Sequence, residues 1–375
     1  MNELMTTTTP QSGRWRLWTT VSAMALMAGG LGLAPANAEG GNAPSIWIEL
    51  GGQLERIDGG QEAFAPPFVT REPRPDYEKG SLVSGQHLPR YGIGGEGKIA
   101  FRPEGSDWAF SASARYGRSN GSKALHYQQT YVVTGTLFPG FSINKKGYLH
   151  SDLAAKHSES HAVLDFSAGR DVGVGMFGRQ GESTVNFGVR FAQFHSKSDI
   201  LLRSGPDYLE GKYIPTFHKT VPLTYHHSYS GTEQVSRSFK GIGPSVSWDA
   251  SSGIAGNSDA AELTFDWGVN GAILFGRQKV SAQHQSKLTL KTALMTAIPS
   301  TVVYSHRPPS KIRPRSVIVP NLGGFAGLSV KFPNAKVSLG YRADFFFGAM
   351  DGGIDTRKSY DRNFFGPYAR IGIGL

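Results

Sequence analysis

The sequence predicts an all-β fold, a single transmembrane antiparallel β-barrel of about ten strands (8–12) with short periplasmic turns and long extracellular loops. Three observations carry this. Apolar residues recur at every second position in segment after segment from residue 45 to residue 375, the period of a strand with one greasy face. The joints between segments alternate between a few residues and a few dozen, as hairpins do when they turn tightly on one side of a membrane and loop out on the other. Mean hydropathy is −0.28 and no stretch past residue 38 could make a spanning helix, so lipid can be crossed only by a closed ladder of strands.

The first 38 residues read as a signal peptide, leaving 39–375 for the barrel. Arg14 and Arg16 form a basic start, residues 17–33 are an apolar core diluted by Gly29, Gly30 and Gly32, and Ala36-Asn37-Ala38 fits a small-residue cleavage site. Trp15 separates the two arginines, which favours Sec over twin-arginine export. The chain has no cysteine, excluding a disulfide framework and thiolate metal sites.

The first strand, 45–55, sets Ile46, Ile48, Leu50 and Leu54 against Glu49, Gln53 and Glu55, and a Pro-rich segment with Pro66, Pro67, Pro73 and Pro75 follows. The second, 91–101, opposes Tyr91, Ile93, Ile99 and Phe101 to Glu96 and Lys98, and Pro103 to Asp107 make a tight turn. The third, 108–116, turns Trp108, Phe110 and Tyr116 outward and Ser111, Ser113 and Arg115 inward. A fourth near 162–176 and a fifth near 184–194 flank the turn at Gly178-Arg179-Gln180-Gly181. Strand six spans 238–250, and a turn at 251–261 leads to strand seven, where Leu263, Phe265, Trp267, Val269, Ile273 and Phe275 alternate with Thr264, Asp266 and Asn270. Strand eight, 321–332, meets strand nine through Pro333-Asn334-Ala335, and strand ten ends the chain on the alternation of Phe365, Ala369, Ile371, Ile373 and Leu375. Ten strands of membrane length, roughly 9–11 residues each, fill only part of the chain. Either the strands continue above the bilayer, or 127–136 and 278–294 hide a further hairpin and the count is twelve. Pro244 and Pro367 remove ladder donors and predict bulges or strand ends. Arg170, in the outward phase of Phe166, predicts a bulge at Arg170-Asp171.

Among candidate functional residues the inward set is the most specific. Glu96, Lys98, Arg115, Asp165, Arg190, Asp266, Arg342, Asp344 and Arg370 fall on the polar faces, with Glu49, Glu55, Asp249 and Lys331. Charge there must line water or pair across the lumen, since Arg or Lys at mid-membrane costs ~2–4 kcal/mol. Charged constrictions set ion selectivity, so these positions are the expected lumen lining. The glycines of Gly92-x-Gly94-x-x-Gly97 match a dinucleotide fingerprint in letters only, because they sit inside an alternating strand with no helix behind them. His157-Ser158-Glu159-Ser160-His161 contains the residue types of a hydrolase but reads as a solvated loop end. His195, His218, His226 and His227 lie in one predicted loop without acidic partners at ligand spacing. Arg307, Lys311, Arg313 and Arg315, spaced by prolines, read as a displayed basic loop suited to phosphate or to a pore mouth. No cofactor or catalytic residue is expected, and the net charge of +10 points to a lipopolysaccharide surface rather than nucleic acid.

The stretch from Phe239 to Asp249, the words Trp267-Gly-Val-Asn270 and the closing Phe365-Gly-Pro-Tyr-Ala-Arg-Ile-Gly-Ile-Gly-Leu375 resemble proteobacterial outer-membrane barrels of the pore-forming, major-outer-membrane-protein kind. The terminal alternation also resembles the signal read by the outer-membrane insertion machinery, with Leu375 in place of the usual aromatic. The resemblance implies a Gram-negative outer-membrane barrel with porin-like passage of ions or small polar solutes. A non-conducting barrel that works through its surface loops, by adhesion or lipopolysaccharide contact, is the alternative, followed by a barrel lipid hydrolase.

Overall fold

The period-2 segments become β-strands because each can put an apolar row outward and a polar row inward while its backbone groups pair sideways. The computed structural model describes residues 45–58, 90–138, 141–172, 182–214, 219–257, 260–293, 300–307, 309–352 and 359–375. They form β1 (Ser45–Asp58), β2 (Arg90–Arg102), β3 (Trp108–Phe138), β4 (Phe141–Asp171), β5 (Glu182–Ile214), β6 (Lys219–Asn257), β7 (Ala261–Ala293), β8 (Ser300–His306), β9 (Lys311–Phe332), β10 (Ala335–Asp351) and β11 (Ser359–Gly374). The expected signal peptide, the Pro-rich segment after β1 and the turn expected at residues 178–181 lie outside the described residues.

From β1 to β8 and again from β9 to β11 consecutive strands pair antiparallel, and β1 pairs with β11 to close the ring. β8 and β9 lie along one edge of β7: β9 pairs with Glu262 to Ala282 and β8 with Ser286 to Thr292. The eleven segments therefore build a closed barrel of ten staves, and no sheet edge faces lipid unpaired.

The intervals expected as long loops are mostly strand. β3 and β4 are 31 residues each, β5 and β7 33, and β6 39. Residues 127–136 continue β3 and 278–293 continue β7, so they add height and no extra hairpin. Above the lipid both faces of such a strand can be polar, and the alternation that marks a membrane strand disappears. The other end is short. Ser106 N–H donates to Pro103 O at 3.2 Å and Ala260 N–H to Asn257 O at 3.1 Å, and β6 runs on to Asn257, well into the turn expected at 251–261.

The two prolines break no strand. β6 passes through Pro244 with one register to β7 on both sides of it, Ile242 opposite Phe275 and Ser245 opposite Ala272. β11 passes through Pro367 in the same way, Gln53 opposite Tyr368 and Arg56 opposite Phe365. The preceding residues Gly243 and Gly366 make this possible: a Cβ on either would overlap the carbonyl oxygen of Ile273 or Leu54 across the seam. Backbones thus close in where the ladder bond is missing. Nor is there a bulge at Arg170. It pairs in unbroken register with Trp108 and Val185, points outward near the short-turn end and meets Asp107 at 2.9 Å. There it has left the apolar zone, so its phase costs nothing.

The outward face forms a continuous apolar belt. On β7 it runs from Trp267, whose ring meets Trp248 edge-on at 4.9 Å, through Val269 and Ile273 to Phe275. Ten residues of tilted strand give about 25 Å, the height of the apolar band of membrane barrels. This exterior needs lipid. In lipid vesicles Ile273→Arg is expected to lower unfolding free energy by about 2–4 kcal/mol, while Gln283→Arg, on the same outward phase above the belt, shifts it by less than about 0.5 kcal/mol; equilibrium denaturation in vesicles measures both.

Candidate functional site

The inward row of a narrow barrel has little room, and its chemistry divides by height. Toward the short-turn end is a charged vestibule of ≈ 330 Å³. Six acids (Glu49, Glu96, Asp165, Glu182, Asp249, Asp266) and six bases (Lys98, Arg115, Arg190, Lys336, Arg342, Arg370) line it, so their formal charges balance. All nine lumen positions picked out in the sequence face inward here, Asp344 lying just behind the lining and 2 % exposed.

Most of these charges are committed to each other. Arg190, from the middle of β5, grips Asp165 of β4 with two donors, Nε to Oδ1 at 2.6 Å and Nη2 to Oδ2 at 3.1 Å. Its Nη1 crosses the lumen to Asn270 Oδ1 at 2.6 Å and to Asn321 Oδ1. Arg115 of β3 pairs across the barrel with Asp344 of β10. Glu96 of β2 takes both Arg342 and Arg370, and those guanidiniums stack on aromatic faces: Arg370 lies 4.5 Å from the Tyr368 centroid and Arg342 5.7 Å from that of Phe325. Asp266 accepts from Lys336 at 2.7 Å, Ser251 at 2.6 Å and Thr264 at 3.2 Å. Asp249 accepts from Asn186 at 3.1 Å. Lys98 lines the vestibule, and Lys331 pairs with Glu182 at 2.7 Å on the rim.

Above this network the same inward phase turns apolar. Phe194, Phe239, Phe346, Leu274 and Val319 are 0–2 % exposed, and Ile57, Val163, Ala192, Met350 and Phe364 join them in one cluster. Phe194 is the hub, with ring centroids 5.5 Å from Phe239, 4.7 Å from Phe346 and 5.4 Å from Phe364. β1, β4 to β7 and β9 to β11 all contribute. The β2–β3 wall is covered instead by Glu55 and His161, which meet at 3.3 Å in the space left by Gly117; the His161 ring lies 4.0 Å from that of Phe364. Rings contributed from around the wall and buried from solvent make a largely apolar septum.

The strict alternation of the sequence does not mark these residues. The signal was in the exceptions: Phe346 inside the run Phe345-Phe346-Phe347, and Ala192 and Phe194 in the phase of Arg190, are apolar where alternation calls for polar.

Three other expectations change. His157, Glu159 and His161 are not in a loop; they are inward residues of β4, 5–9 % exposed. His157 Nδ1 is 2.9 Å from Ser198 Oγ, and Glu159 accepts from Ser196 at 3.1 Å and pairs with Arg362 at 3.2 Å. Of the four histidines expected in one loop, His195 stands exposed on β5, His226 and His227 are in β6, and His218 lies outside the described residues; no group of metal-binding residues occurs among the described ones. The basic run is largely the start of β9: Arg313 pairs with Asp351, which is 1 % exposed, and Arg315 reaches Ser359 at 3.4 Å.

No protein-family model and no curated protein matches the chain. Among solved structures it is similar to the transport unit of the autotransporter AIDA-I from Escherichia coli, at 8 % identity over 94 % of this chain and 97 % of that one, TM-score 0.23. The translocator domain of the autotransporter NalP from Neisseria meningitidis gives 13 % identity, 94 % and 97 % coverage and TM-score 0.20. The toluene transporter TodX of P. putida gives 8 %, 90 % of each chain and 0.17. With superpositions this loose, the architecture rests on the strand pairing described above.

Removing one partner of a buried pair strands the other charge, at about 3–5 kcal/mol, whereas replacing both by apolar groups is often near neutral. Asp344→Ala is therefore expected to destabilise by that amount, and Arg115→Met with Asp344→Leu by less than the single change; a double-mutant cycle in denaturant reads the difference.

Proposed function

We propose that the protein is an outer-membrane barrel with a closed lumen that acts through its tall surface extension, by adhesion or contact with the lipopolysaccharide layer. The single observation that supports this is the septum around Phe194. A water-filled pore needs a polar path, and here eight strands fill the bore with side chains from which water is excluded. Ion pairs then hold the vestibule below, so solutes meet paired charge first and a dry layer next. The apolar belt and the closed ladder favour the outer membrane of a Gram-negative bacterium, with the short turns periplasmic and the extension extracellular. A wall of long hairpins standing above the lipid offers a rigid platform, and rigid scaffolds are where surface loops carry recognition.

The second reading is a narrow porin-like channel. The charged vestibule favours it, since charged side chains line selective constrictions, and it requires the aromatic layer to move. Neither reading assigns the chain an enzymatic activity or a cofactor.

In planar bilayers the refolded protein is expected to be silent. Phe194→Gly combined with Phe239→Gly should produce discrete conductance steps, because it removes the hub and its stacked partner. Steps from the unmodified protein, altered by Arg342→Ala, would establish the channel reading instead.

A further inference from the structure

The outer wall carries a patch of charge that neither reading uses. The register across β5, β6, β7 and β9 orders the outward residues in rows. One row is Phe191, Ile242, Phe275 and Ile318; the next, one step toward the extended end, is Gln193, Lys240, Arg277 and Ser316. Beyond it come His195, Ser238, Lys279 and Pro314. The wall thus passes from wholly apolar to basic in a single pleat.

Lys240 and Arg277 are directly opposite one another, and Lys279 follows Arg277 on the same face. Like charges directly opposite across a ladder destabilise it, yet all three are exposed, and among the described residues no side chain pairs with them. Two other outward cations near this height, Lys197 and Arg56, are engaged. Lys197 meets Asp199 at 3.1 Å, and Arg56 lies 5.6 Å from the Phe365 ring centroid.

We propose that Lys240, Arg277 and Lys279 form a binding site for the phosphate of an anionic glycolipid headgroup in the outer leaflet. An anion seated between Lys240 and Arg277 would relieve their repulsion. Arg277 supplies a planar fork suited to phosphate oxygens and the lysines compact charge, with Gln193 and Ser238 alongside as neutral donors. The row beneath fixes the source of the anion. A headgroup held here lays its acyl chains on Ile242, Phe275 and Ile318, which are 55, 55 and 63 % exposed. A phosphorylated glycolipid of the lipid A class satisfies both rows at once. This inference rests on the outer-membrane reading of the barrel.

The test places the full chain in phosphatidylcholine vesicles containing a fluorescent lipid A, with energy transfer from the protein tryptophans as the binding signal. Each basic residue near a membrane surface contributes about 1 kcal/mol toward anionic lipid, so Lys240→Gln with Arg277→Gln and Lys279→Gln should weaken association at least about tenfold. Removing the phosphates from the lipid should do the same to the unmodified protein, and Lys197→Gln should leave binding unchanged. Equal binding by the triple variant, or of the dephosphorylated lipid, overturns the site. Quenching by brominated acyl chains separates the two levels: normal quenching without phosphate selectivity overturns the site alone, and absent quenching overturns the membrane reading and the site with it.

Discussion

Closure of the backbone ladder between β1 and β11 is the constraint on which the rest depends. Backbone amides in lipid have no water to bond, so each must find a partner on the next stave. Closure fixes ten staves, and ten staves fix a bore narrow enough for a side chain from one wall to touch its counterpart on the other. Arg115 reaches Asp344 and Arg190 reaches Asn270 and Asn321 because the ring is that small. The same narrowness lets Phe194, stacked on its ladder partner Phe239, also touch Phe346 and Phe364 across the bore. A wider ring with these residues would hold water, and its charges would be screened instead of paired.

The stack inside the barrel follows from that geometry. Charged residues placed inward avoid lipid but lose bulk water, and they recover stability only by pairing. Glu96 with Arg342 and Arg370, and Asp266 with its three hydroxyl neighbours and Lys336, are local solutions to one problem. One level up, rings fill most of the bore, with Glu55 and His161 covering the remaining wall. The lumen therefore works as a core turned on its side, polar in the vestibule, apolar at the level of Phe194 and polar again beyond it at Glu159 and Arg362, and the lipid belt outside is its counterpart.

The membrane half was legible in the sequence because lipid forces alternation: Leu263 to Phe275 on β7 and Val337 to Phe347 on β10 can be read residue by residue. The extension was not, since both faces of a strand in water tolerate serine, lysine and glutamine, and β3 beyond Tyr116 looks like loop. The nine lumen positions were accessible by phase alone. The septum was not, because its members are apolar like the outward row, and only their phase relative to Arg190 or Asp344 separates inside from outside. Pro244 and Pro367 misled for a different reason. A proline predicts a missing bond, but the preceding glycines let the strands close up with register intact.

A lumen sealed at the level of Phe194 admits solutes past it from neither side. The chain has no cysteine, so single cysteines report access cleanly. With Ser245→Cys in the vestibule and Ala192→Cys in the septum, a membrane-impermeant thiol reagent would be applied to vesicles from each side in turn. Cys at 245 is expected to react only from the short-turn side and Cys at 192 from neither. Reaction at position 245 with reagent added on the extended side would show an open path and contradict a sealed lumen.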